Sequence, residues 1–148
     1  MNKRSIKLSN KIRILVVEPF KEPYQIRIEH TLKNLQKVVG GYIEILQLEH
    51  TVDLICNDEG KINRLPLNRF VDYDIIAGTF IIAGHKDSET ISLSRKQIKK
   101  YKEVFRLDKH QKYMNYLFHN SRDEEFLKDV DKYGLVKTLE DVSLIPKR

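Results

Sequence analysis

Val52 to Gly84 reads VDLICNDEGKINRLPLNRFVDYDIIAGTFIIAG. Its two apolar runs, Val52–Cys56 and Ile75–Ala83, are short and rich in β-branched residues, which predicts strands rather than helices. Between them, Asn57-Asp58-Glu59-Gly60 reads as a turn, with Gly60 supplying a positive φ. Pro66 cannot donate to a sheet ladder, so Leu65–Leu67 is expected to be loop or edge. The polar connection Lys61–Arg69 is then displayed from a stiff frame. Gly78 lies inside the second run, which predicts a bulge or a close backbone approach.

Upstream, IRILVV at Ile12–Val17 is apolar on both faces at Leu15–Val17, as expected of an interior strand covered on both sides. Glu22-Pro23 suits a helix start. Tyr24, Ile28, Leu32, Leu35 and Val39 recur at helical spacing and predict an amphipathic helix of about four turns, ended by Gly40-Gly41. Tyr42–Leu48 is a second strand, and Lys61–Asn63 is expected to be a short hairpin partner of Val52–Cys56. Downstream, Ser94-Arg95-Lys96-Gln97 fits a capping box, followed by a stripe of Ile98, Tyr101, Val104 and Phe105. Further helical patterns pass through Met114, Leu117 and Phe118, then from a second capping box at Ser121–Glu124 to Gly134.

The order of elements predicts an α+β fold: a mixed, mostly antiparallel sheet packed by an amphipathic helix, with a helical C-terminal extension. It divides into a basic arm (1–10), a core (11–106) and the extension (107–148). The chain has 148 residues, 41% of them hydrophobic, enough to bury a core without disulfides or a structural metal. A single cysteine, Cys56, excludes an intramolecular disulfide and points to an intracellular, cytoplasmic location. No apolar run is long enough to span a bilayer. The net charge of +6 permits a polyanionic partner without requiring one.

Several pieces in order carry a family likeness: IRILVVEP, KEPY, VGGYIE, LICNDEGKINRLPLNR and IIAGTFIIAG. From Lys11 to Phe105 the chain resembles a family of small proteins, a domain of unknown function found in phages, plasmids and integrated elements of Gram-positive bacteria. The resemblance implies an accessory role, of the counter-defence kind, and supplies no established activity to carry over.

No catalytic set stands out, and the expectation is a non-enzymatic binding protein. The histidines lack metal-ligand spacing, and neither a metal nor a cofactor is expected. Cys56 sits in an apolar strand without an adjacent base and reads as a small buried hydrophobe. Two sets of residues remain. Lys61, Asn63, Arg64, Asn68 and Arg69, with Thr79 nearby, suit a phosphate-bearing small molecule such as a nucleotide signal, sequestered at the interface of a homo-oligomer. Asn68 and Arg69 equally suit tying the loop down through backbone carbonyls. The alternative is an inhibitor of a host defence protein, or a nucleic-acid binder. It would use a basic helix carrying Arg95, Lys96, Lys99, Lys100 and Arg106, together with the extension; an ordinary solvated face is its plain counterpart.

Overall fold

The computed structural model describes residues 10–71 and 74–110, with residues 128 and 132. The basic arm lies outside the described residues, as do the helices expected beyond residue 110 except for Lys128 and Lys132, which are helical. The described elements are β1 (Lys11–Val17), β2 (Tyr24–Glu29), α1 (Leu32–Val39), β3 (Ile43–Glu49), β4 (Val52–Asn57), β5 (Leu67–Val71), β6 (Asp74–Ala77), β7 (Phe80–Lys86), β8 (Glu89–Ile91) and α2 (Arg95–Val104), with residues 107–110 also helical. The main sheet has the order β2-β1-β7-β4-β3, with β8 also on β7, and β5 and β6 form a separate pair. Every described pairing is antiparallel. The fold is α+β, as the sequence predicts.

Alternation explains the layers. On β1, Ile12, Ile14 and Val16 face one way and join Leu35 and Val39 of α1, with Ile55, Ile81 and Ala83. Leu15 and Val17 face the other way and join Leu54, Phe80, Ile82, Ile98, Tyr101 and Phe105. The sheet is thus covered by α1 on one face and α2 on the other, and β1, β4 and β7 are buried on both, which is why they read as unbroken apolar runs.

Four expectations are corrected. The four-turn helix is two elements: Tyr24–Glu29 is strand β2, and only Leu32–Val39 is helical. Tyr24, Ile26 and Ile28 also alternate with period two, and pairing with β1 selects that pattern. Thr31 then caps α1, its hydroxyl accepting from Asn34 N at 3.1 Å, and Gly40 ends it at φ 82°. The run Ile75–Ala83 is also divided. Gly78, at φ 84°, turns the chain between β6 and β7, which belong to different sheets. Finally, Lys61–Asn63 is not a strand. Asn63 N donates to Glu59 O and Leu65 N to Gly60 O, so this is a helical turn. Its positive φ falls on Arg64 rather than Gly60.

The capping box of α2 forms in both directions: Gln97 N donates to Ser94 Oγ at 3.1 Å, and Ser94 N donates to Gln97 Oε1 at 2.8 Å. Ser94→Ala is expected to lower stability by about 1 kcal/mol, measured as a fall in the urea midpoint with an unchanged slope.

Candidate nucleic-acid interface

The structure does not bring the six loop residues together on a displayed surface. Asn68 and Arg69 are fully buried. The Asn68 amide donates to Val17 O at 2.8 Å and Gly78 O at 2.9 Å. Arg69 donates from Nε to Phe105 O, from Nη1 to Asn68 Oδ1 and from Nη2 to Lys21 O, at 3.0, 2.8 and 2.6 Å. Reading these two as groups held out to a ligand is therefore corrected: strand β5 turns them into the core, and their donors engage the protein's own oxygens. Lys61 Nζ lies 2.6 Å from Asp74 Oδ1, Asn63 and Arg64 are exposed, and Thr79 is half-buried.

A cavity of about 260 Å³ beside this turn is lined by Glu44, Asp58, Glu59 and Asp74, with Lys61 as its basic residue. That balance repels an anion. Cys56 also lines it, and burial, then the Glu44 carboxylate, push its thiol up to about 11. Around neutral pH it is therefore a protonated thiol, a poor nucleophile.

The basic helix fares differently. Ile98 and Tyr101 are its buried side, so Arg95, Lys96, Lys99 and Lys102 are exposed. None of these four pairs with a carboxylate among the described residues. Two expected members are neutralised. Lys100 Nζ lies 2.8 Å from Glu49 Oε2, and the Lys100 hydrogen bond holds the Glu49 carboxyl below its ordinary range. Arg106 pairs with Asp108 at 2.6 Å and Glu103 at 3.2 Å. Its bond to Asp108 raises the guanidinium's pKa and lowers that of the carboxyl. The available charge therefore runs along α2 from Arg95 to Lys102.

Arg13 and Arg27 extend it. They are directly opposite on β1 and β2, on the sheet face that carries Leu15 and Val17 toward α2. Arg13 Nη1 donates to Leu93 O at 2.8 Å, and Arg13 N to Ser92 Oγ at 2.8 Å, which sets it beside the cap of α2. Neither arginine has a carboxylate partner among the described residues. Two locally unfavourable arrangements thus adjoin. Like charges face each other across strands, and α2 begins with Arg95 and Lys96, with no acidic residue in its first turn, against the helix dipole. An anion relieves both. Sequence reading missed Arg13 and Arg27 because their pairing exists only if Tyr24–Glu29 is a strand; the alternation in YQIRIE was the available signal.

Among the described residues no cluster of three or more His, Cys, Asp or Glu could hold a metal ion, and no helix is long and apolar enough to cross a membrane. These elements define an antiparallel α+β domain with a cationic flank. The chain belongs to the family described as Domain of unknown function (DUF3846), whose model matches residues 12–106, from β1 to the end of α2. No curated protein and no solved structure matches it.

Proposed function

We propose that this protein is a nucleic-acid-binding module that acts by occupancy. Its contact surface is the outer side of α2 with the Arg13–Arg27 pair. The observation that carries this reading is the cross-strand arginine pair set beside a helix start that is itself cationic. Spaced cations on a helix and an adjoining strand pair suit a phosphate backbone, where each contact releases counterions and no single deep pocket is needed. The resemblance to mobile-element proteins supports an accessory, counter-defence setting, in which masking nucleic acid requires stoichiometric binding only. A phosphate-bearing small molecule at the Lys61–Arg69 loop has weaker support, because Asn68 and Arg69 face inward and the neighbouring cavity is acidic.

Charge reversal separates the two surfaces. Arg27→Glu and Lys99→Glu are each expected to weaken binding of a fluorescent oligonucleotide roughly tenfold, whereas Arg64→Glu leaves it unchanged. The opposite pattern, loss with Arg64→Glu alone, would move the site to the loop. A host protein retained equally by all variants, with no oligonucleotide binding, would replace nucleic acid as the partner.

A further inference from the structure

Asp53 is 3% exposed, and His85 Nδ1 lies 3.0 Å from its Oδ2. An ionised carboxylate only accepts, so the Nδ1 proton belongs to this bond, and in the neutral ring Nε2 then carries the lone pair. His85 is one-third exposed, and Nε2 has no partner among the described residues. A buried carboxylate paired with a histidine is a poor source of stability compared with an apolar pair of similar volume. What the pair does achieve is to fix one tautomer and one ring orientation.

The surroundings form a small polar cleft. Gln47 pairs with Asp53, Asp53 with Ala83, and His85 with Thr90. Side chains from four neighbouring strands, Gln47, Asp53, His85 and Thr90, therefore share one sheet face. The cleft holds about 250 Å³ and is lined by Gln47, His50, Thr51, His85, Lys86 and Asp87.

The geometry points to a second ligand site here, for a neutral ligand with vicinal hydroxyls, a single sugar ring or the ribose of a nucleoside. The charges decide against an anion: Lys86 is offset by Asp87, and Asp53 bonds the ring edge at Nδ1. A hydroxyl both donates and accepts, and so do the groups available. In the neutral ring His85 Nε2 accepts, as does Asp87; Lys86 donates, the Gln47 amide does both, and the Thr51 hydroxyl, which accepts from Gln97 Nε2 at 3.3 Å, donates. The volume lies below the roughly 300–1,000 Å³ of clefts for larger ligands, which limits the occupant to about one ring. The inference is independent of nucleic-acid binding by α2.

The test is a titration of the unaltered protein, followed through the histidine ring nitrogens by NMR, with D-glucose, adenosine and 2′,3′-dideoxyadenosine. The His85 spectrum is expected to be that of the Nδ1-protonated tautomer. Its Nε2 resonance should move saturably with glucose or adenosine, and at least about tenfold more weakly with the dideoxy compound, the lost hydroxyls leaving site groups unpaired. A response to adenosine alone assigns the site to nucleosides, and a response to glucose alone assigns it to free sugars. Asp53→Asn, with folding checked by circular dichroism, should release the tautomer and weaken the response roughly tenfold. No shift with glucose or adenosine, an equal shift with the dideoxy compound, or an Nε2-protonated ring would overturn the assignment.

Discussion

Arg69→Ala is expected to destabilise the protein by about 3–5 kcal/mol, lowering the melting temperature by roughly 15 °C. The guanidinium joins three separate segments: the end of α2 through Phe105 O, the β1–β2 connection through Lys21 O, and its own strand through Asn68. Truncation leaves the buried Phe105 and Asn68 oxygens without these donors, at about 1–3 kcal/mol each, and adds a cavity where one of the largest fully buried side chains had been. Arg69→Lys should recover little, because a single ammonium cannot reproduce three directed bonds in a plane. The check is urea denaturation of both variants. A loss below about 1 kcal/mol for Arg69→Ala would show that these bonds do not organise the core.

Gly60→Ala is expected to cost roughly 2–3 kcal/mol, and Gly40→Ala only about 1 kcal/mol. The two glycines are required for different reasons. Gly40 has φ 82°, and a Cβ there meets nothing within 4 Å, so the penalty is the left-handed backbone alone. At Gly60 the added Cβ would stand 2.7 Å from the backbone oxygen of Ala77. Relief requires moving β6 away from the turn, because a backbone carbonyl cannot swing aside as a side chain can. Thermal melts of the two variants give the comparison, and equal losses would remove the distinction.

The fold was legible where the signal is local. Leu15–Val17 announces a strand covered on both faces, and the Ser94/Gln97 box announces the start of α2, because both patterns depend on neighbours in sequence. Tyr24–Glu29 was misread because Tyr24, Ile28, Leu32, Leu35 and Val39 also satisfy helical spacing across the strand-to-helix junction, and Pro23 suits either beginning. Only the β1 partner resolves the ambiguity. Gly78 was seen as an interruption, but nothing local shows that β6 and β7 leave it for different sheets.

The site was less legible for the same physical reason. Arg69 looks like an exposed cation until Lys21 O and Phe105 O, 48 and 36 residues away, are found around it. Arg13 and Arg27 are unremarkable until the β1–β2 register sets them opposite each other. Asp53 and His85, 32 residues apart, meet only across the main sheet. Lys100 and Arg106 were counted as available cations, and their carboxylate partners remove them.

The central claim is that the cations of α2 and the arginine pair engage a phosphate backbone, and its most direct test is the salt dependence of binding by the unaltered protein. Fluorescence anisotropy with a mixed-sequence duplex and its single strand, across roughly 50–200 mM salt, gives log K against log salt. The account predicts measurable binding whose slope is steeper than about −2, since each neutralised phosphate contributes about −0.9 on a duplex and −0.7 on a single strand. A slope near zero, or no binding at the lowest salt, would contradict it.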